Sequence, residues 1–241
     1  MMEVQLLKLH SKSQIHKIMY RVFKRFFDII FSLVAILLFF PLLIPIIIIL
    51  KFSGEGEIFY YQKRIGIKNK KFNILKFATM IKNSPNIGDG IYTAKGDSRI
   101  LPFGHFLRKY KINEIPQIFN IFFGNMSIVG PRPLIYETFI FYSKEVKSVL
   151  SNMKPGLSGI GSIVFRDEEL ILEKAKKKKE NFYRDKISPY KGALEVWYSQ
   201  NISFYTDFMI IFLTVWVVFF PKSNLVYKVF KTLPSKPDYM Q

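Results

Sequence analysis

Between Leu107 and Pro133 the chain reads LRKYKINEIPQIFNIFFGNMSIVGPRP, and the residue types there suit chemistry on phosphates. Asn113 and Glu114 stand together ahead of an apolar segment, preceded by the cations Arg108, Lys109 and Lys111. Arg132 follows between Pro131 and Pro133, where a guanidinium on a restrained backbone can take two phosphate oxygens at once. The element that must carry Asn113 and Glu114 reads as a helix from Glu114 to Phe123. Asn113 can cap it, Pro116 is tolerated in a first turn, Ile115, Ile118, Phe119, Phe122 and Phe123 share a face, and Gly124 stops it. The positive end of that helix adds to the cations, so the stretch outlines a phosphate site. Between Glu57 and Glu137 the acids are Asp89, Asp97 and Glu114. Acid–base or metal chemistry at the site must draw on these, or on later residues folded back.

Composition narrows the partners such a site would meet. The 241 residues suffice for one catalytic domain with a sizeable core, alone or with membrane segments. Lys and Arg number 36 against 18 Asp and Glu, a formal charge of +18 that favours polyanions: nucleic acid, anionic lipid or phosphorylated substrates. Part of that excess accompanies a general richness in Lys, Ile, Phe and Asn. With no Cys, disulfides, thiolate zinc sites and cysteine nucleophiles are excluded, and a reducing compartment fits.

Two apolar stretches must place the site at a membrane. Residues 1–25 are polar and basic, with Lys8, Lys12, Lys17, Arg21, Lys24 and Arg25; then Ile29 to Leu50 has Ser32 as its one polar side chain. A straight helix of this length, about 33 Å, could cross a bilayer. Pro41 and Pro45 near its middle would break or kink it, and cations flank both ends: Lys24 and Arg25 before, Lys51, Lys63 and Arg64 after. Both features favour a re-entrant, monotopic helix bent at Pro41, its ends both in the cytoplasm. The stretch begins too late and runs too long for a cleaved signal peptide. The second run, near 207–220, is too short to span and reads as a helix lying in the interface, with Trp197, Tyr198, Tyr205, Trp216 and Lys222 at headgroup level; a buried core helix is the alternative.

The remainder reads as a small mixed domain. Glu57 to Met80 is rich in aromatic and β-branched residues around Lys68-Asn69-Lys70-Lys71, a hairpin with a basic surface. Residues 81–96 form a loop, and Leu134 to Leu150 reads as a helix. The glycine-rich Lys154–Ser162 lacks the P-loop spacing and its Lys-Ser/Thr ending, which argues against nucleotide binding by that motif. Asp167 to Lys179 reads as a helix with acids first and lysines last; Lys176 to Lys179 is a solvated face or a contact to anionic lipid. The fold class is α+β: a basic segment 1–25, a membrane helix 26–52, a catalytic domain 53–221 and a tail 222–241. With no long N-terminal extension, a minimal form without extra spanning helices is expected.

Taken together, the ordered motifs resemble the bacterial sugar transferases, monotopic phosphoglycosyl transferases that start lipid-linked glycan assembly. The resemblance runs from about Lys24 to Phe220. It is carried by Lys24-Arg25-Phe26-Phe27-Asp28, Tyr61-Gln62-Lys63-Arg64-Ile65-Gly66, Lys76-Phe77-Ala78-Thr79-Met80 and Asp97-Ser98-Arg99. It continues through Phe106-Leu107-Arg108-Lys109, Asn113-Glu114-Ile115-Pro116-Gln117, Met126 to Pro133 and Lys154 to Gly159. It implies transfer of a sugar-1-phosphate from a nucleotide-diphosphate sugar, such as a UDP-sugar, to polyprenyl (undecaprenyl) phosphate, with release of the nucleoside monophosphate. The setting implied is capsule, exopolysaccharide or O-antigen synthesis at the cytoplasmic face of the inner membrane. Membrane lipid is a partner and nucleic acid is not. The resemblance also implies magnesium, an Asp-Glu pair whose Asp becomes phosphorylated, and phosphate contacts from Arg132, Arg108, Arg99, Arg64 and Lys76. Glu114 and Asp97 are the metal-ligand candidates, Asp97 having a pairing with Arg99 as the alternative.

Three departures from the family pattern bear on chemistry. Asn113 stands in place of the nucleophilic Asp, Ala78 in place of an Arg, and Phe40-Pro41 in place of Ser-Pro. An amide caps a helix as well as Asp does but is a poor nucleophile and brings magnesium no negative charge. Three options follow: Glu114 is the nucleophile, the lipid phosphate attacks directly, or the protein is an impaired member acting as a membrane scaffold in the same pathway. The sugar, the nucleotide, the glycan pathway and a homodimeric state stay open at this point.

Overall fold

A computed structural model describes residues 2–87, 96–173 and 179–240. Asp89 and Lys176 to Lys178 lie outside the described residues, as does half of the expected loop 81–96. The chain begins with one helix, α1 (Met2–Lys51), which stays helical through Pro41 and Pro45. The chain is therefore helical on both sides of the expected bend at Pro41. Each proline removes one backbone donor, while the surrounding apolar residues keep their own helical bonds. Ser32 hands its hydroxyl back to the Ile29 carbonyl at 3.0 Å, so the one polar side chain of the stretch is satisfied inside the helix. Residues Ile18–Lys51 are long and apolar enough to cross a membrane. Their most apolar window has a mean hydropathy of 3.2 and is only 11% buried, unlike the helix of a soluble core.

Both flanks of the apolar stretch hold the same globular body. On the near side Lys24 pairs with Asp207, Arg25 donates to the Ile121 and Phe122 carbonyls at 2.6 and 2.7 Å, and Asp28 accepts from Ser127 Oγ and Ile128 N. On the far side Leu43 and Leu50 are buried in a cluster with Phe77 and Leu107.

The expected hairpin forms, β1 (Phe59–Ile65) against β2 (Lys71–Phe77), antiparallel with Phe59 opposite Phe77 and Ile65 opposite Lys71. Lys68 and Asn69 both take positive φ in its turn. Helix α2 (Pro102–Lys109) follows; a Cβ on its Gly104 would lie 2.3 Å from the Thr79 carbonyl, so glycine alone permits that approach. The central helix is shorter than expected, α3 (Gln117–Phe122), preceded by a separate 3-10 turn over Ile112–Glu114. Lys111 is left-handed there (φ 58°, ψ 16°) and redirects the chain. Glu114 N and Ile115 N then bond to the Lys111 and Ile112 carbonyls, so Asn113 has no amide left to cap. The buried face also differs: Gln117, Ile118, Asn120 and Ile121 turn inward, while Phe123 is 73% exposed.

Strand β3 (Ser127–Val129) pairs in parallel with β4 (Gly156–Ser158) in the glycine-rich segment. Between them the expected helix 134–150 divides into α4 (Tyr136–Phe139) and α5 (Lys144–Ser151), the latter capped by Ser143. Next come α6 (Ile160–Val164), α7 (Glu168–Glu173), α8 (Lys179–Phe182), a π-helical turn over Tyr183–Ile187, and α9 (Ser188–Gln200). The last long helix is α10 (Phe204–Phe219). Its Ile210, Leu213 and Val217 enter the largest core cluster with Leu194 and Ile160, each such burial being worth about 1.5–3 kcal/mol. Phe208, Phe212, Val215 and Phe219 face outward, so a strongly apolar helix is buried on one side only. Trp197 and Tyr198, expected at headgroup level, are buried instead, because α9 lies inside; Tyr205 is exposed. The segment after Pro221 packs back through α11 (Leu225–Val229), burying Val226, Phe230 and Leu233.

Candidate active site

The site is assembled by three local devices. The first clamps Arg132. Gly130 N donates to the Ser158 carbonyl and Gly156 N to the Pro131 carbonyl, at 2.9 and 2.8 Å. A Cβ on Gly156 would stand 2.1 Å from Gly130 N, and one on Gly159 2.2 Å from the Gly130 carbonyl, so these glycines let two backbones touch. On the other side Ile65 N donates to the Leu134 carbonyl and Arg64 to the Pro133 carbonyl, at 2.8 and 3.0 Å. The Pro131–Pro133 turn is thus held between the hairpin and the glycine-rich segment.

The second device sets Lys76 against Glu114. Asn120 of α3 accepts from Leu75 N at 2.9 Å and donates to the Asn73 carbonyl at 2.8 Å, acting as a short extra strand beside β2. The third is the Lys111 bend, which turns Glu114 toward the clamp. Glu114 Oε1 accepts from Lys76 Nζ at 3.2 Å and from Arg132 at 3.1 Å. Lys76 and Glu114 are largely covered, whereas the Arg132 side chain is 39% exposed and offers the way in.

The cluster carries an excess of positive charge. Burial alone would raise the Glu114 carboxyl, but Lys76, Arg132 and Lys111 outweigh it and hold the group well below the usual carboxylate range. Burial pushes Lys76 down to about 8, partly countered by Glu114. Burial and the neighbouring Arg132 bring Arg64 down to about 10, and its Nε is buried with no hydrogen-bond partner. Three buried or half-buried cations around one carboxylate leave a site that an anion would complete.

The other candidates lie differently. Asn113 is 7% exposed and its Oδ1 is buried without a partner, next in the chain to Glu114. Arg108 sits in the last turn of α2, and the contacts joining Lys76, Glu114 and Arg132 do not include it. Arg99 and Asp97 pair with one another, and the Arg99 guanidinium also donates to the Ser84 and Ile87 carbonyls. Among the described residues no three His, Asp or Glu side chains gather as a metal site. Asn120 and a buried carboxylate behind Arg132, Glu195, escaped the sequence reading. Asn120 shares the inward face of α3 with Gln117, and Glu195 lies one turn from Lys191 on α9; no motif marks either.

Compared with known proteins, residues 19–221 match the family described as bacterial sugar transferase. The chain is 31% identical to the exopolysaccharide production protein ExoY of Rhizobium meliloti, over 80% of this chain and 83% of that one. It is 33% identical to a UDP-glucose:undecaprenyl-phosphate glucose-1-phosphate transferase of Klebsiella pneumoniae, over 84% of this chain and 41% of that one. An uncharacterized sugar transferase of Haemophilus influenzae is 30% identical, over 90% of this chain and 44% of its own length. The chain therefore spans less than half the length of two of these three relatives.

Proposed function

The chain belongs to the bacterial sugar transferase family, and on that premise we propose that it transfers a sugar-1-phosphate from a nucleotide-diphosphate sugar to polyprenyl phosphate. The single observation that carries this reading is the Lys76–Glu114–Arg132 cluster, an excess of cations converging on one ionised carboxylate beside an exposed guanidinium. The relative named for UDP-glucose and undecaprenyl phosphate supports those classes as donor and acceptor, and the exopolysaccharide production protein supports exopolysaccharide synthesis as the setting.

In this reading Arg132 and Lys76 take the equatorial oxygens of the donor's β-phosphate, where charge builds during transfer. A Glu114 oxygen attacks the β-phosphorus, the bond to the bridging oxygen breaks, and the nucleoside monophosphate leaves with that electron pair. An oxygen of polyprenyl phosphate then attacks the same phosphorus, forming the lipid diphosphate and returning the Glu114 carboxylate. Asn113, a neutral amide, takes neither step and lines the nucleophile's side. The donor set does not by itself make a magnesium site: Glu114 is one carboxylate already bonded to two cations, Asn113 is neutral and Asp97 belongs to Arg99. Magnesium would enter on the donor's diphosphate, and no step above depends on it.

Membrane placement follows the same reading. Arg25 and Asp28 before the apolar stretch, and Leu50 at its end, all contact one globular body, which supports a monotopic α1 with both ends on one side. The outward face of α10 would lie in that same interface, with the site on the cytoplasmic face of the inner membrane. Cysteines engineered at positions 20 and 55 should label from one side, and labelling from opposite sides overturns the topology.

The transfer reading is tested with purified protein, undecaprenyl phosphate and a panel of sugar nucleotides. Nucleoside monophosphate release that depends on the lipid supports it, and Glu114→Gln retaining full turnover removes Glu114 from its role. Radiolabelled donor without acceptor should leave sugar phosphate on the protein if Glu114 attacks. Turnover without trapped label supports direct attack by the lipid phosphate, a second route favoured by Glu114 Oε1 being held in both ion pairs. The unpartnered Asn113 amide oxygen favours the scaffold reading, in which turnover is absent until Asn113→Asp restores it.

A further inference from the structure

One turn of α1 holds both limbs of the chain that end at the Glu114–Arg132 contact. Arg25 and Asp28 lie three positions apart, on one side of the helix, and are the last charged side chains before the apolar run that opens at Ile29. On the first limb the Arg25 guanidinium donates to the Ile121 and Phe122 carbonyls, at 2.6 and 2.7 Å, at the C-terminal end of α3. Gly124 follows with φ +88°, and a Cβ there would stand 3.2 Å from Arg25 Nη2, so the turn that ends α3 is shaped around the guanidinium. Glu114 stands just ahead of the other end of α3. On the second limb Asp28 accepts from Ser127 Oγ at 3.1 Å and from Ile128 N at 2.9 Å, at the start of β3, which runs on through Gly130 to Arg132. Asp28 is 4% exposed and Ser127 1%, so water does not compete for this hold. The far ends of the two limbs meet where Arg132 donates to Glu114 Oε1 at 3.1 Å.

Helix α1 has other fastenings, with Leu43 and Leu50 packed on Phe77 and Leu107, and Lys24 paired with Asp207. Those hold the hairpin, α2 and α10. Arg25 and Asp28 act instead on the two segments that lead directly to Glu114 and Arg132. A guanidinium bonded to two consecutive carbonyls fixes direction as well as distance, which a single ammonium contact does not. We propose that Arg25, with Asp28, is a positioning residue for the lipid acceptor: the pair sets Glu114 and Arg132 relative to the point where α1 becomes apolar, so that a phosphate carried in the bilayer reaches both. This rests on the reading of Arg132 as a phosphate ligand and of α1 as the membrane helix. A phosphate free in solution can approach the exposed Arg132 guanidinium at any height above the bilayer and needs no such registry. One tethered to a polyprenyl chain does, because a displacement of about 1 Å already spoils a reacting geometry.

The test uses the full chain in lipid nanodiscs and two probes, inorganic sulfate in solution and undecaprenyl phosphate carried in the nanodisc. The affinity for each is read from its effect on the melting temperature. Arg25→Ala and Asp28→Ala should each lower the affinity for the membrane-borne probe, relative to that for sulfate, by about tenfold, the size of a moderate coupling between sites. Bonds that only support the fold would lower the melting temperature and leave that ratio as in the wild type, which in either variant overturns the proposal. Should the alanine variants fail to fold, Arg25→Lys decides: with the charge kept and one bond in place of two, it should lower the ratio about threefold, and a wild-type ratio overturns the proposal. Arg132→Gln separates the underlying reading. If it leaves both affinities intact, Arg132 is no phosphate ligand and the proposal falls with that reading; if it weakens both while the Arg25 and Asp28 variants keep the wild-type ratio, only the positioning role falls.

Discussion

Asp97 pairs with Arg99 in the interior, whereas Glu114 meets Lys76 and Arg132 together, with Arg64 and Lys111 close enough to act on the cluster. In the first region Arg99 also donates to two main-chain carbonyls, so the pair fastens the loop that carries them. In the second, cations outnumber carboxylates and one guanidinium is left 39% exposed. The same side-chain types thus give a fastening in one place and an anion receptor in the other. Exposure and surroundings separate the two, and residue identity does not.

The largest effect expected from breaking that contrast is at Glu114. Glu114→Gln should lower lipid-dependent release of nucleoside monophosphate by about 10²–10⁴-fold, as expected for loss of a group acting in the chemical step. Asp97→Asn should act on the fold instead. Removing one partner of a buried pair costs about 3–5 kcal/mol, so the melting temperature should fall by many degrees while the surviving folded protein keeps its turnover number. If the two substitutions gave the same pattern, the distinction between receptor and fastening would be wrong.

A smaller effect sharpens the receptor itself. Arg132→Lys retains charge but loses the planar two-point contact, a loss of about 1.5–3 kcal/mol in transition-state stabilisation, or roughly 10- to 100-fold in kcat/KM. Equal kcat/KM in Arg132→Lys would mean that Arg132 acts as a point charge.

The two regions were not equally legible in the sequence. The hairpin that carries Lys76 was, because aromatic and β-branched residues flank a lysine-rich turn, and so was Arg132 between its prolines. The helix at Glu114 was misread because Lys111 adopts a left-handed backbone that its residue type does not announce. Once that bend forms, the main chain satisfies the amides Asn113 would have capped. Asn120 acts across 45 positions of chain, on Leu75, and no local pattern reports such a contact. Trp197 and Tyr198 carry the residue types of a membrane interface, yet α9 lies inside. The exposure of α10 was legible only in part, since from Phe208 to Phe219 Thr214 interrupts an otherwise apolar run and gives little sign of which half is covered.

The finest probe of the contrast is pH, through Lys76. Its ammonium is pushed down to about 8 by burial, so kcat/KM should fall as pH rises through about 8 and the receptor loses a cation. Stability should move the other way. In the unfolded chain a lysine keeps its proton up to about 10.4, so between the two values the unfolded state binds more protons and the folded state gains as pH rises. Falling activity with rising melting temperature over pH 8 to 10 would therefore locate the loss in the site and exclude unfolding. Lys76→Arg, whose guanidinium keeps its charge across this range, should flatten the alkaline limb of the activity profile. An unchanged limb in that variant would assign the limb to another group and remove Lys76 from the receptor.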